Sequence, residues 1–274
     1  MGLSALTSVY GGERPEFLRQ SLESIAAQTV RADQVVIVKD GLLGSELESV
    51  LASYDEALPI VTVQLEKQGG LGLALSAGLA ECRNELIARM DSDDISLPHR
   101  FERQLAFLLE NPAVAAVGGT IGEFVNDPGT IASVRKLPCG GAELKRFAKF
   151  RNPLNHMTVM FRRSAVLAAG GYRDFPGLED YDLWARLLML NLEIRNISEI
   201  LVLARCGDGM LRRRGGVSYA RSEMRLFRQF LRMGFISAPE FALNVLVRTP
   251  VRILPAALRS LVYGRLLRHE GSSL

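Results

Sequence analysis

The 274-residue sequence is poor in the features that mark disulfide-stapled, zinc-scaffolded or membrane-spanning chains. It has three cysteines, Cys82, Cys139 and Cys206, and their spacing fits no zinc pattern. An odd, scattered set argues against a disulfide framework and for a reducing compartment. No run of about 18 apolar residues occurs, so no transmembrane helix is expected. The opening Met1-Gly2-Leu3-Ser4 lacks the basic start and long apolar stretch of a secretory signal, and none is expected. Lysine is missing from residue 201 onward, where 13 arginines face four acids. The first 200 residues carry 20 basic and 26 acidic groups, so the overall charge of +3 hides an acidic body and a basic tail. Such a tail suits an anionic partner. Nucleic acid is a poor fit, because the tail has no interleaved aromatics beyond Tyr263 and no recognition motif.

What is present is a large apolar fraction, 48%, with 23% charged residues, enough for a sizeable core and against global disorder. The pattern predicts strands at 5–10, 34–41, 59–65, 85–90 and 113–119. Between them lie helical patterns, including "PEFLRQSLESIAAQT" and "LPHRFERQLAFLLENP". Five alternations in about 120 residues predict an α/β fold with a doubly wound, mostly parallel sheet and helices on both faces. Further on, 155–163 reads as a strand, and 181–190 and 216–234 as helices. In such sheets a ligand binds beyond the carboxyl ends of the strands. Asp40 and the stretch "RMDSDD", residues 89–94, both lie there.

Asp91, Asp93 and Asp94 are the first chemistry on the page. Two carboxylates about 4 Å apart repel by roughly 4 kcal/mol at an effective dielectric near 20, so a fold gains nothing from them alone. A hard divalent cation turns that repulsion into coordination, and oxygen donors suit Mg²⁺ or Mn²⁺. Mg²⁺ is commonly held by one or two carboxylates together with substrate phosphates, which implies a nucleotide diphosphate of some kind. The alternative is a turn that caps the next helix. The place after a fourth strand favours the metal.

Seven segments, in order, resemble family 2 glycosyltransferases of GT-A fold, in particular bacterial enzymes of exopolysaccharide and O-antigen repeat units. They are "TSVYGGERPEFLRQSLESIAAQT", "VVIVKDG", "GGLGLALSAGL", "ARMDSDDISLPHRFERQ", "NPLNHMTVMFRRSAVLAAGGY", "GLEDYDLWARLL" and "RRRGG". The resemblance implies a Rossmann-like catalytic domain over 1–235, with a nucleotide-binding half, 1–120, and an acceptor half, 121–235. A basic, amphipathic C-terminal extension, 236–274, follows.

The resemblance also implies a UDP-sugar donor, with Asp91 and Asp93 as the acids that hold Mn²⁺ or Mg²⁺ and the diphosphate. Ser92 lies between them. Ser8, Val9, Tyr10 and Glu13 should line the base pocket, and Asp40 should contact uracil or ribose. Gly70 should let backbone approach the nucleotide, and Arg100 should lie near the diphosphate. "GGLGLA" lacks the third glycine of a dinucleotide fingerprint. A carboxylate opposite the diphosphate can take the proton of an attacking hydroxyl. Glu179, Asp180 and Asp182 are the candidates. Spacing does not separate Asp180 from Glu179, and the resemblance favours Asp180, then Glu179. It places His156 and Asp182 toward the acceptor, and Arg213 and Arg214 on phosphate oxygens.

The acceptor so implied is a saccharide on polyprenyl pyrophosphate, at the cytoplasmic face of the inner membrane. Arg248, Arg252, Arg259, Arg265 and Arg268 interleave with apolar residues and would lie on an anionic leaflet, in one or two short helices broken by Pro250 and Pro255. Two other classes fit less well. A sugar nucleotidyltransferase would need a glycine-rich basic loop after the first strand, which "SVYGGERPEF" matches poorly. A non-catalytic binding subunit would not need Asp91, Asp93 and Asp180 intact.

Overall fold

The computed structural model describes residues 2–206 and 216–253. The first 124 residues alternate as the pattern predicts. They form β1 (Leu3–Tyr10), α1 (Pro15–Ala26), β2 (Gln34–Asp40), α2 (Ser45–Ala52), β3 (Ile60–Gln64), α3 (Leu71–Glu81) and β4 (Leu86–Arg89). A short β5 (Ile95–Ser96), α4 (Arg100–Glu110) and β6 (Val114–Phe124) follow. Local causes are visible. Pro15 opens α1, where its missing N–H would have had no intrahelical partner anyway. β2 is buried on both sides: Val36 and Val38 pack into one apolar cluster and Val35 and Ile37 into another, as a period of two requires.

The later elements are β7 (Ser133–Arg135), α5 (Gly141–Ala148), a 3₁₀ turn (His156–Thr158), β8 (Met160–Arg162), α6 (Arg163–Ala168) and α7 (Glu179–Met189). Then come β9 (Glu193–Arg205), α8 (Val217–Arg232) and α9 (Ala238–Ile253). The sheet order is β3-β2-β1-β4-β8-β6-β9-β5, with β7 on β6. The longer ladders, β1 with β2 and β6 with β9, are parallel. The fifth predicted strand does not lie beside the fourth: β8 sits between β4 and β6, antiparallel to both. Of the predicted strand 155–163 only Met160–Arg162 is strand; His156–Thr158 form a 3₁₀ turn, in which the Thr158 N–H donates to the Asn155 carbonyl at 2.9 Å. One apolar cluster under α3, α7 and α8 centres on Phe161, Trp184, Phe227 and Phe230. The other, under α1, α2 and α4, contains Val9, Leu22 and Phe101.

The C-terminal helix departs from expectation in two ways. It continues to Ile253 with Pro250 inside it. Pro250 is exposed, and the helix there lacks the N–H that would bond to the carbonyl of Leu246. Its arginines also turn inward. Arg248 and Arg252 both pair with Glu223 of α8, at 2.5 and 3.0 Å, and Glu223 is buried. These two cations neutralise a buried carboxylate, holding its pKa below the usual range against the opposing effect of burial, and are not spread on an outer face. Arg259, Arg265 and Arg268 lie outside the described residues.

Candidate active site

Parallel pairing brings the ends of β1, β2 and β4 to one edge of the sheet, with Tyr10 opposite Asp40. Past β4, Met90 N–H donates to the Leu6 carbonyl at 2.9 Å, and the loop 91–94 lies over that edge. Two hydroxyls fasten it. Ser92 Oγ donates to Glu13 Oε2 at 2.6 Å, and Ser21 Oγ donates to the Asp91 carbonyl at 2.9 Å.

Asp91, Asp93 and Asp94 each offer a carboxylate oxygen within 4.8 Å of the others. Asp94 is buried, and its carboxyl is pushed well above the usual range, first by burial and then by the charges of Asp91 and Asp93. A hard divalent cation matches that set of three carboxylate donors. One oxygen of Asp91 accepts from Arg89 Nη2 at 2.5 Å, and Asp94 Oδ1 accepts from Arg205 N–H at 2.8 Å. Arg89 is 1% exposed, and its Nε and Nη1 have no hydrogen-bond partner among the described residues. Its guanidinium, a buried cation at the floor of the site, also feels the charges of Tyr172 and Asp180.

Asp40 organises backbone at this edge. Its two oxygens accept from Gly69 N–H at 2.7 Å and Gly70 N–H at 3.0 Å, fixing the loop that enters α3. Gly70 has φ of 87°, a region that favours glycine. Gly72 admits α7: a Cβ there would stand 2.7 Å from the Arg173 carbonyl and 3.3 Å from Glu179 Cβ. The start of α7 is thereby seated against the first turn of α3.

Glu179 and Asp180, both buried, open α7. Burial, then Asp180, pushes the Glu179 carboxyl up to about 7. Asp180 Oδ1 accepts from Tyr181 N–H at 2.8 Å, and Oδ2 accepts from Asn152 Nδ2 at 2.5 Å. Residues 148–150 are gripped in turn. Tyr181 Oη donates to the Ala148 carbonyl, Asn244 Nδ2 to that of Lys149 and Arg248 Nη1 to that of Phe150. His156 is buried 3.0 Å from Tyr172 Oη, through Nε2, and close to Trp184. Burial and then Arg89 lower its pKa well below the usual range, so it is a neutral imidazole.

The sequence profile of glycosyl transferase family 2 matches residues 4–169 of the chain. The chain belongs to glycosyltransferase family 2. Among its relatives, the amylovoran biosynthesis glycosyltransferase AmsE of Erwinia amylovora is 39% identical over 263 residues, 95% of this chain and 97% of that protein. The UDP-Gal:alpha-D-GlcNAc-diphosphoundecaprenol beta-1,3-galactosyltransferase of Escherichia coli is 38% identical over 265 residues, 97% of this chain and 96% of that protein. The mannosyltransferase PcManGT of Pyrobaculum calidifontis, solved with GDP-Man and Mn²⁺, superimposes with a TM-score of 0.66 at 16% identity. The match covers 97% of this chain and 76% of PcManGT. The mixed, mostly parallel sheet is of the GT-A kind.

Within this family 2 enzyme, several residues stand elsewhere than the sequence suggests. Arg100 was expected at the diphosphate. It is 0% exposed and donates to the Arg89 carbonyl at 2.6 Å, Ser96 Oγ at 3.0 Å and Gln104 Oε1 at 3.0 Å. It holds the end of β4 and does not reach the cleft. Asp182 was expected toward the acceptor, but its oxygens accept from Arg186 and from Gln229 of α8. Two residues along a helix is 200°, so Asp182 and Asp180 face opposite ways. Val9 is fully buried, in the apolar cluster under α1, α2 and α4, whereas Ser8 is half-buried and Tyr10 exposed. Arg213 and Arg214 lie outside the described residues.

Three further residues went unread in the sequence. Arg89 and Asn152 lie inside quoted motifs and were passed over for their neighbours. Arg205 ends an unpredicted strand, lies over Phe17 at 3.8 Å and Phe124 at 4.6 Å, and donates to the Asp93 carbonyl at 3.1 Å. Asn152 carries a prediction. A donor to a carboxylate favours its charged form. If Asp180 is the group that accepts the acceptor's proton, Asn152→Ala is expected to lower kcat about tenfold, leave the KM for donor unchanged and move the acid limb of the kcat–pH profile to higher pH. Steady-state kinetics across pH reads all three.

Proposed function

We propose that this chain transfers a sugar, with inversion, from a UDP-sugar to a saccharide carried on polyprenyl diphosphate, in bacterial surface-polysaccharide synthesis. One observation carries the reading: the buried Arg89 pairs with Asp91 of one acidic group and feels the charge of the other, Glu179 and Asp180. The near-full-length relatives, one named for UDP-Gal and a diphosphoundecaprenol acceptor and one for amylovoran biosynthesis, support the substrate classes.

In this reading residues 1–120 bind the donor and 121–235 the acceptor. Tyr10 and Glu13 line the base pocket, and the loop that Asp40 fixes lies along the nucleotide. Asp91 and Asp93, with Asp94 beside them, would hold Mn²⁺ or Mg²⁺, which when bound neutralises charge on the diphosphate. The acceptor hydroxyl attacks the anomeric carbon as the bond to UDP breaks, and its proton passes to Asp180. Adjacent carboxyls divide their roles by environment. Glu179, pushed up to about 7, retains much of its proton at neutral pH, whereas Asp180 accepts hydrogen bonds through both of its oxygens. The negative start of α7 is also stabilised by the helix dipole. Arg213 and Arg214 are assigned to diphosphate oxygens of donor or acceptor. No helix among the described residues is long and apolar enough to cross a membrane. The lipid-borne acceptor therefore implies a peripheral enzyme on the cytoplasmic face.

The test is transfer itself. With Mn²⁺, UDP-Gal and a GlcNAc-diphospho-lipid, mass spectrometry is expected to show one added hexose and NMR a β linkage. A full panel of UDP-sugars and lipid-linked acceptors giving no product would overturn the reading.

A further inference from the structure

The charged residues of α9 are engaged on its inner side. Glu240 pairs with Lys149 at 2.8 Å, and Arg248 and Arg252 pair with Glu223. Among the residues of α9 whose burial is described, Ala238, Pro239, Ala242, Leu243, Leu246, Val247 and Pro250 are exposed. Their spacing, three and four by turns, makes one continuous stripe. Leu246 is 73% exposed, Val247 59% and Leu243 50%. A helix lying on a globular body ordinarily shows its polar side to water, and this one shows its apolar side. Contiguous exposed apolar surface of that kind marks an interaction site.

We infer that the outer stripe of α9 docks the enzyme on an anionic membrane by inserting Leu243, Leu246 and Val247 among the headgroups. Charge selects the occupant. The chain that continues from α9, residues 254–274, has three arginines and one acid, Glu270, among Leu254, Leu258, Leu261, Val262, Leu266 and Leu267. A second copy on the same stripe would bring two such cationic segments together, whereas an anionic leaflet complements them. Position agrees. The inner side of α9 holds the Lys149 and Phe150 carbonyls, three and two residues before Asn152, which holds Asp180. The stripe thus lies behind the acceptor side of the cleft, where a lipid-borne acceptor must arrive. This inference rests on the proposed acceptor, but it differs from an arginine-only attachment. Apolar insertion survives salt, whereas at 1 M salt the screening length falls to about 3 Å and surface cations cease to hold.

The experiment uses the full chain and vesicles of phosphatidylethanolamine with phosphatidylglycerol, at 0.1 and 1 M salt. Wild type is expected to co-sediment at both. Leu246→Ser with Val247→Ser is expected to weaken partitioning about tenfold or more at 1 M salt. The variant should keep its circular dichroism spectrum and its turnover of a water-soluble, short-chain acceptor analogue, and lose turnover of the vesicle-borne acceptor. Unchanged partitioning of the variant, or loss of wild-type binding at 1 M salt, would overturn the inference. So would a wild-type dimer that the variant turns into a monomer, since the stripe would then be a self-association face. If no UDP-sugar is turned over while the variant still leaves the vesicles, the proposed reaction fails and the docking surface stands.

Discussion

Asp180→Asn is expected to lower kcat about a thousandfold while UDP binding is retained. The amide is nearly isosteric, so the start of α7 and its seat against Gly72 are preserved. What it removes is the capacity to accept the acceptor's proton, and general-base assistance contributes about 10²–10⁴ in rate. A thousandfold corresponds to about 4 kcal/mol of barrier. Glu179→Gln is expected to cost less, because a group with its pKa near 7 already holds much of its proton at neutral pH. Donor-substrate turnover and UDP titration of the two variants measure this. An Asp180→Asn enzyme with full turnover would remove Asp180 from the mechanism.

The acidic loop gives the second large effect, and its two metal-side acids are expected to differ. Asp93→Asn should reduce Mn²⁺-dependent turnover at least a hundredfold with the melting temperature unchanged, because the Arg89–Asp91 pair remains. Asp91→Asn should do the same to turnover and also strip Arg89 of its counter-ion. Leaving a buried cation unpaired costs about 3 kcal/mol. Asp91 is partly exposed, at 27%, so about 2 kcal/mol is the expected loss after solvent screening. For a chain of this size that lowers Tm by about 5 °C. Turnover against Mn²⁺, with thermal melts of both variants, separates the roles. Equal melting temperatures would show that Arg89 does not depend on Asp91. Chelation by EDTA should abolish wild-type turnover, and added Mn²⁺ should restore it.

The parts of the fold legible in the sequence are those where one period dominates. β2 is a continuous apolar run, and α1 repeats Leu18, Leu22 and Ile25 on a buried side. β9 escaped because its apolar stretch, Ile200 to Ala204, is short and follows the charged Glu193, Arg195 and Glu199, on a strand that is only half-buried there. β8 shrank because three residues of side-chain and backbone bonding at Asn155–Thr158 won over a strand-like composition. In α9 the interleaved arginines suggested an outer basic face. A buried partner 25 and 29 residues away, Glu223, drew two of them inward, and no local pattern encodes that.

The site was legible as a set of acids and less so as a set of roles. Asp91 and Asp93 follow the end of β4, and Asp180 lies in the first turn of α7. Arg100 read as a cation for phosphate, yet it lies on the buried side of α4 with Phe101 and Gln104. The helical angle between Asp180 and Asp182 was available from spacing and separates them. Asn152 was not available, because its importance is a single contact across 28 residues.

The central claim is that the carboxylates after β4 grip a divalent ion shared with the donor's diphosphate. Isothermal titration of UDP into the protein, with and without Mn²⁺, tests it most directly. The account predicts that each ligand tightens the other by at least tenfold, and that Asp93→Asn abolishes this coupling. Equal UDP affinity in the presence and absence of Mn²⁺ would contradict it.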